Sequence, residues 1–192
     1  VLWFMFLLPQ SLLANEAIKI HAIHQESFAC TEHWDGQFKF LGDELGTDCV
    51  IKGWYEDGQR LFQRSYINDG FENEDWIGFN KEVLSPCDCL VEKIHTNPVT
   101  NQPGIMTPGR ASSITFKKAD NSSILLAHVR EISVKEGQRV KSGEVVAKVG
   151  NNGYSRNPHI HIGAWDKDNK PLQIRFDQTT IGLKIREEMK EK

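Results

Sequence analysis

Short runs in which apolar and polar residues alternate recur through most of the chain, and glycine-containing turn signals separate them. Alternation with a period of two predicts half-buried β-strands, and continuous apolar runs bounded by turns predict buried ones. The predicted strands and hairpins are Phe38–Phe40, Cys49–Ile51, Glu82–Ile94, Ser113–Lys118, Ile124–Arg130, Val134–Gly150 and Asn157–Trp165. Helical periodicity is weak before the charged tail at Ile185–Lys192. The pattern therefore predicts a mainly β fold with an antiparallel sheet or sandwich core.

Three longer segments complete this outline. Valines alternate with polar residues through Val134–Gly150, with glycines at turn positions, which predicts an antiparallel β-meander. Lys52–Asn80 carries repeated turn signals among aromatic residues, which predicts an elaborated loop with a hairpin arm at Arg60–Arg64. His95–Ser113 is rich in proline and glycine and predicts a second long loop.

The first 14 residues, Val1–Ala14, are almost entirely apolar. The run is shorter than the roughly 20 residues that span a bilayer as a helix, and it resembles the apolar core of a secretory signal cleaved after Ala14. We therefore expect a secreted or periplasmic protein with no membrane segment in its mature form; an uncleaved membrane anchor is the alternative.

The formal net charge is −3, from 23 basic and 26 acidic side chains, with no basic stripe. This composition argues against a nucleic-acid partner.

Export changes the interpretation of the four cysteines, Cys30, Cys49, Cys87 and Cys89. In an oxidising compartment four cysteines allow three full pairings, and spacing alone does not choose among them. A bond between Cys87 and Cys89 would close a very short loop, so we expect cross-links between separate segments instead. Free buried thiols are the alternative. No Cys-x-x-Cys pair is present, which argues against a zinc knuckle.

The candidate chemistry centres on the strand at Asn157–Trp165, which carries two histidines two residues apart. Side chains at i and i+2 of a strand leave the same face, so His159 and His161 point together while Ile160 and Ile162 point to the other side. Two such imidazoles can share a metal, or one can bind metal while the other handles protons. Both can also be ordinary half-buried strand residues.

Further motifs stand before this strand in a fixed order. Leu126–Val129 reads Leu-Ala-His-Val, Val134–Gly150 has the form Val-x-x-Gly-x-x-Val-x-x-Gly, a glycine-rich turn lies at Gly150–Gly153, and Pro158–His161 carries the His-x-His pair. Together with Asp48, these motifs resemble the lysostaphin-type (LytM-like) zinc metalloendopeptidases, which cut peptides in bacterial cell walls. The resemblance covers roughly Asp48–Trp165. It implies the β fold of that family, described as a duplicated hybrid motif.

The resemblance also implies a cofactor, a substrate class and residue roles. Zn²⁺ is the expected cofactor, and a peptide, in particular peptidoglycan, is the expected substrate. His161 and Asp48 take the places of zinc ligands, while His128 and His159 take the places of the residues that orient the attacking water and stabilise the oxyanion. These roles suit the chemistry, because zinc lowers the pKa of bound water to about 7 and imidazole exchanges protons near that pH.

One position departs from the family pattern. Four residues before Asp48, where the family has a histidine ligand, this chain has Glu44. Glu44 itself can coordinate zinc through oxygen, His33 on the preceding segment can supply the missing imidazole, or the third ligand is absent and the domain does not catalyse. Asp43 is a more remote candidate.

The sequence thus predicts an exported zinc metalloendopeptidase domain acting on cell-wall peptides. The alternative is a catalytically degenerate domain that binds cell-wall peptide or regulates a partner hydrolase. The loops at Lys52–Asn80 and Thr96–Arg110 are expected to wall the cleft. The remaining histidines, His21, His24 and His95, match no family position and are expected at the surface. The predicted organisation is a signal-like segment at 1–14, a lead-in at 15–47, a peptidase-like β domain at 48–180 and a charged tail at 181–192.

Overall fold

A computed structural model describes residues 16–34 and 36–182 of the chain. The predicted signal segment and most of the predicted tail, including its helical stretch, lie outside these residues. The strands within them are β1 Ala17–Ile20, β2 Phe28–Glu32, β3 Thr47–Ile51, β4 Gly53–Asp57, β5 Arg60–Arg64, β6 Glu82–Leu84, β7 Cys89–His95, β8 Ser113–Lys117, β9 Ser123–Ala127, β10 Val129–Arg130, β11 Arg139–Val140, β12 Val145–Val149, β13 Ile160–Trp165 and β14 Gln173–Phe176. Helical structure in the described part is limited to 3-10 turns at Lys39–Leu41 and Asn73–Asp75. None of the helices there has the length and apolar character needed to cross a membrane.

A seven-stranded antiparallel sheet forms the body of the molecule, with the strand order β11-β7-β8-β9-β13-β3-β2. Its alternating strands bury one face: Phe116, Leu126, Ile160 and Ile162 are fully buried. Burying side chains of this size contributes roughly 1.5–3 kcal/mol each relative to exposure. The mainly β, antiparallel fold expected from the alternation is confirmed, as are the strands predicted around residues 82–94, 113–118, 124–130 and 160–165.

A second, three-stranded sheet has the order β10-β12-β6. Its strand β12 comes from Val134–Gly150, whereas β11, from the same segment, pairs with β7 in the large sheet. The prediction of one meander over this segment is therefore wrong. Gly137 and Gly143 each have φ of +80°, which permits the tight turns that lead the chain from one sheet to the other. Val140 of β11 and Val146 of β12 are both buried, although their strands belong to different sheets.

Residues that precede the predicted β domain pair with it. β1 forms a parallel pair with β14, and β2 is the edge strand beside β3. The arm predicted at Arg60–Arg64 is confirmed as the second strand of an isolated hairpin with β4. The proposed domain limits stay predictions, but the segment before residue 48 supplies two strands of the fold.

The structure pairs the cysteines in two disulfides. Cys30 and Cys49 are directly opposite in the β2–β3 register, which confirms a cross-link between segments. Cys87 and Cys89 also bond to each other, so the expectation that these two would not pair is wrong. A bend at residues 86–88 turns both side chains inward, where both cysteines are buried. Their Cα atoms are 5.4 Å apart, a separation common for disulfides.

Two other expectations are corrected. Phe38 adopts a left-handed conformation, with φ of 53°, and is followed by the 3-10 turn Lys39–Leu41 rather than by a strand. The apolar alternation there has no partner strand within the described residues, and local hydrogen bonds replace strand pairing. His24 is fully buried rather than exposed. Its Nδ1 lies 3.1 Å from the Glu82 carbonyl oxygen, and its ring packs edge-on against Phe28.

Candidate metal centre and catalytic site

Three neighbouring strands of the large sheet bring a histidine, an aspartate and a second histidine onto one face. In the antiparallel register, His161 of β13 is directly opposite Asp48 of β3, and Asp48 is opposite Thr31 of β2. His33 follows Thr31 by two residues, so its side chain leaves the same face. The backbone N–H of His33 donates to the Gly46 carbonyl at 3.1 Å, which continues the β2–β3 pairing past the end of β2.

These side chains converge closely. His161 Nδ1 is 2.9 Å from Asp48 Oδ1, and His33 Nε2 is 4.0 Å from the same oxygen. The rings of His33 and His161 stack with centroids 5.2 Å apart. One ligand atom from each of His33, Asp48 and His161 lies within 4.8 Å of the others. The arrangement is the kind of histidine and carboxylate set that binds zinc.

The structure distinguishes among the candidates for a third ligand. His33 joins Asp48 and His161, whereas Glu44 is not part of any such cluster among the described residues. Asp43 contacts the site differently, because its Oδ2 lies 2.6 Å from Nε2 of His161, on the side of the ring away from Asp48. Two consecutive acidic residues of one loop thus have distinct environments.

The two remaining histidines of the predicted site lie beside this cluster. His159, just before β13, has Nε2 3.6 Å from Asp48 Oδ1, and its Nδ1 lies 2.8 Å from the Asn157 carbonyl oxygen. His128 connects β9 and β10 in a left-handed conformation, with φ of 65°. The rings of His128 and His159 are 4.5 Å apart. All four residues predicted with family roles therefore meet in one place.

His128 and His161 carry opposite shifts in proton affinity. Burial lowers the pKa of His128 to about 3, and the nearby charge of His159 adds to this effect. Burial also disfavours protonation of His161, but hydrogen bonds to Asp43 and Asp48 outweigh it and raise its pKa to about 9. Burial would raise the pKa of Asp48, yet its hydrogen bonds to His159 and His161 hold that pKa far below the usual value. A cation is thus favoured beside Asp48.

The donor set fits a bound zinc ion. Nε2 of His33 is buried and has no hydrogen-bond partner among the residues that the structure describes, a costly condition that a metal would relieve. Gly46 leaves the space that the two rings need, since a Cβ there would lie 2.8 Å from Cε1 of both His33 and His161. Two imidazoles and one carboxylate are a common set of three protein ligands in catalytic zinc sites.

The site opens into a cleft of about 720 Å³. Its apolar lining includes Phe40, Leu41, Met106 and Tyr154. Among the described residues, Arg156 is the one lysine or arginine that lines it. Met106 lies in the loop predicted to wall the cleft at Thr96–Arg110. The other predicted wall, 52–80, contributes no lining residue. That loop leaves the far end of β3, about 10 Å along the strand from Asp48 at 3.3 Å per residue. The loop at 36–46 takes its place.

A buried amide network that the sequence did not predict holds His128 and the turn that precedes His159. The Asn152 carbonyl oxygen accepts from His128 Nδ1 at 2.8 Å, while the Asn152 amide donates to the Val129 carbonyl and accepts from Ser112 N–H. Asn101 Nδ2 donates to the carbonyls of Gly153 and Ser155. The Asn-Asn pair in the glycine-rich turn was the available signal, because buried asparagines are uncommon without such partners.

Comparisons with known proteins add a family to this geometry. The sequence model described as Peptidase family M23 matches residues 77–173, which is 97 of the 192 residues. His128, His159 and His161 lie inside the matched segment, and His33, Asp43 and Asp48 lie before it. A protein of Haemophilus influenzae described as an uncharacterized metalloprotease is 30% identical over 103 residues, which are 53% of this chain. The chain spans 20% of the length of that curated relative.

Solved structures of similar shape were also found. The catalytic domain of a mutant of the prophage-encoded M23 protein EnpA from Enterococcus faecalis has 18% identity and a TM-score of 0.49, with 76% of this chain and 88% of that chain covered. The catalytic domain of lysostaphin from Staphylococcus simulans has 18% identity and a TM-score of 0.41, with 74% and 95% covered. The family match spans half of the chain, and the chain belongs to peptidase family M23.

Proposed function

We propose that this protein is a zinc-dependent endopeptidase in which His33, Asp48 and His161 hold the metal and His128 and His159 carry out the proton chemistry. The observation that carries the proposal is the convergence of His33, Asp48 and His161 within 4.8 Å. Asp48 and His161 of this cluster line the same cleft as His128 and His159. Because the chain belongs to a peptidase family, hydrolysis of a peptide bond is the reaction that this cluster would serve.

When bound, zinc would polarise the scissile carbonyl and lower the pKa of a coordinated water to about 7. His128 acts at Nε2, because its Nδ1 donates to the Asn152 carbonyl. Burial keeps the ring neutral, which leaves the lone pair of Nε2 able to accept a hydrogen bond from the attacking water and to take up its proton. His159 likewise donates from Nδ1 to a backbone carbonyl, that of Asn157, so both rings are held in defined orientations.

His159 is suited to the developing negative charge. Its Nε2 faces the carboxylate of Asp48 at 3.6 Å, while Nδ1 on the other side of the ring contacts the Asn157 carbonyl. A protonated Nε2 can donate to the substrate oxygen as it gains charge, which is the function of an oxyanion-stabilising group. His128 and His159 thus divide proton acceptance and donation between two adjacent rings.

The proposed substrate is a peptide of bacterial peptidoglycan, and the proposed location is secreted or periplasmic. A cleft of about 720 Å³ is large enough for several residues of a peptide. Its apolar wall at Phe40 and Leu41 and its cation at Arg156 would contact side chains or a carboxylate of the bound peptide. These features support a peptide substrate and leave its sequence to experiment.

The runner-up is a catalytically degenerate domain that binds cell-wall peptide or a partner hydrolase. The observation that favours it is Glu44, which stands where the family pattern has its first histidine ligand. The two functions differ in their need for metal, since a binding domain has no chemical requirement for three ligands and two further histidines in one cleft.

The decisive experiment measures the zinc content of the exported, purified protein. Wild type is compared with His33→Ala, Glu44→Ala and, as a control, His95→Ala. We expect stoichiometric zinc in wild type, Glu44→Ala and His95→Ala, and loss of zinc in His33→Ala. Hydrolysis of purified peptidoglycan is then measured in the same proteins. Wild type without zinc after reconstitution would refute the peptidase proposal and support the binding domain.

A further inference from the structure

Asp43 contacts two of the three proposed metal ligands through two different groups. Its backbone carbonyl oxygen lies 3.0 Å from Nδ1 of His33. Its carboxylate Oδ2 lies 2.6 Å from Nε2 of His161. In both rings the nitrogen that contacts Asp43 is the one that does not face Asp48.

These contacts determine which ring nitrogen of each histidine is free. A carbonyl oxygen and a carboxylate can only accept, so His33 Nδ1 and His161 Nε2 must each carry a proton. His161 Nδ1 also donates to Asp48 in this structure, and a bound metal would replace that proton, so the nitrogens left to coordinate are His33 Nε2 and His161 Nδ1. Those are the two atoms that face Asp48 Oδ1, at 4.0 Å and 2.9 Å. A metal placed among these three atoms would displace the Nδ1 proton of His161, while the contacts of both rings with Asp43 stay in place.

We propose that Asp43 is a positioning residue that holds His33 and His161 in the tautomers and orientations required for metal binding. The proposal rests on the metal site of the proposed function and adds a residue outside its ligand set. Coordinating histidines commonly donate their second N–H to a carboxylate or a carbonyl, which fixes the ring and increases its basicity. Here one residue supplies both kinds of acceptor to two different ligands.

The surroundings of Asp43 are shaped to hold its carboxylate. A Cβ on Gly163 would lie 2.6 Å from Asp43 Oδ1, and a Cβ on Gly46 would lie 2.9 Å from the same atom. The two glycines, one on β13 and one just before β3, therefore leave the space that the carboxylate occupies. The Trp165 indole N–H donates to the Gly42 carbonyl at 2.6 Å, which fastens the loop next to Asp43 to the same strand that carries His161.

The same geometry argues against Asp43 as a ligand. Its carboxylate is hydrogen-bonded to Nε2 of His161, whereas Asp48 and His33 lie on the Nδ1 side of that ring. The imidazole therefore stands between Asp43 and the place where the other donor atoms converge. Among the described residues, the cluster able to hold a metal contains Asp48 and not Asp43. Asp43 would act on the metal through His161.

The test compares zinc affinity in wild type, Asp43→Asn and Asp43→Ala, measured by competition with a chromophoric chelator. We expect both substitutions to weaken zinc binding by about 10- to 100-fold, the usual effect of losing such a partner. Asp168→Asn is the matched control. It makes the same chemical change at an exposed turn, where the side chain pairs only with Lys167, and it should leave the affinity unchanged.

A spectroscopic measurement separates positioning from a general loss of structure. In zinc-loaded protein with ¹⁵N-labelled histidine, we expect wild type to show His161 protonated at Nε2 and His33 protonated at Nδ1. In Asp43→Ala the slowly exchanging Nε2 proton of His161 should disappear, while the Nδ1 proton of His33 remains because its acceptor is a backbone oxygen. If Asp43→Ala does not fold, Asp43→Asn keeps a neutral acceptor for the His161 proton, and the loss of zinc affinity in that variant then tests the role of the carboxylate charge.

The outcomes are distinct. Zinc affinity and His161 signals that are unchanged in both folded variants would overturn the role of Asp43 while leaving the metal site in place. Simultaneous loss of both the His33 and the His161 signals would mean that Asp43 serves only the loop structure, which also overturns the proposal. Wild type that binds no zinc would refute the proposed function itself, and the role of Asp43 with it.

Discussion

The two sides of the cleft contain equally buried histidines with opposite proton affinities. His128 is 7% exposed and His161 is 8% exposed, yet the pKa of the first is lowered to about 3 and that of the second is raised to about 9. Burial is therefore not what separates them. His128 donates to a neutral carbonyl, whereas His161 lies between the carboxylates of Asp43 and Asp48. The acceptor decides which histidine holds a proton and which stays free to take one.

This difference matches a division of labour. At neutral pH the His128 side has a neutral imidazole that can accept a proton. The His161 side stabilises positive charge, whether the charge is a proton or a metal ion. The first side lies within the segment that matches the family, and most of the second side comes from the residues before it. The following experiments test whether the two sides act separately.

The largest effect is expected from His161→Ala. Removal of this imidazole takes away a ligand atom and leaves Asp43 and Asp48 facing each other without a positive charge between them. We expect zinc to be lost and peptide hydrolysis to fall to background. Metal analysis and a peptidoglycan hydrolysis assay measure the two results, with His95→Ala as the control. Full activity in His161→Ala would show that the metal cluster is wrongly assigned.

The next largest effect separates catalytic turnover from zinc binding. His128→Ala and His159→Ala remove proton donors and acceptors but no proposed ligand. We expect each to reduce the rate of hydrolysis by about 10²- to 10⁴-fold while zinc stays bound. Single-turnover hydrolysis and metal content, measured on the same samples, provide the comparison. Unchanged hydrolysis in His159→Ala would contradict its assigned role.

His24 extends the comparison to a histidine outside the cleft. It is fully buried against a backbone carbonyl, and burial lowers its pKa to about 4 from a value of 6.5 in the unfolded chain. The unfolded chain therefore binds more protons between these values, and stability falls as the pH falls through that window. We expect His24 to account for about 3 kcal/mol of the stability lost between pH 7 and pH 4.

Urea denaturation at several pH values, for wild type and His24→Leu, measures this contribution. The variant should lose less stability on acidification than wild type by that amount, even if its stability at pH 7 is lower. His95→Leu, which alters a histidine that is not buried, serves as the control. Parallel pH profiles for wild type and His24→Leu would show that His24 is not held neutral by the fold.

The smallest expected difference is in the stability lost when each of the two disulfides is removed. Cys30–Cys49 closes a loop with a sequence separation of 19, and Cys87–Cys89 one with a separation of 2. Loop-closure entropy predicts a loss of about 3 kcal/mol on removing the first and about 1 kcal/mol on removing the second. Denaturation of the two double Cys→Ala variants tests this order. The first pair also flanks His33 and Asp48, so its removal should weaken zinc binding, unlike removal of the second.

Much of the fold was predictable because strand alternation is a local property. The strands near residues 82–94, 113–118 and 124–130 follow from a period of two and from the turn residues between them. The segment at Val134–Gly150 was assigned to one meander because alternation does not say which sheet a strand joins. Phe38–Phe40 alternates too, but in the described structure it has no strand beside it, and local turn hydrogen bonds prevail.

For the site, local sequence patterns were enough to indicate the pair at His159 and His161, and the order of the motifs indicated His128 and Asp48. These features could be predicted because strand periodicity and short motifs involve residues that are close together in the sequence. The folded chain brings His33, and not Glu44, into a cluster with Asp48, because His33 stands 15 residues before Asp48 and reaches it through the β2–β3 register. The tertiary structure also decided the place of Asp43. Which nitrogen of a ring contacts a carboxylate depends on how a loop folds back over a sheet. The spacing of residues along the sequence does not give the distance between the loop and the sheet.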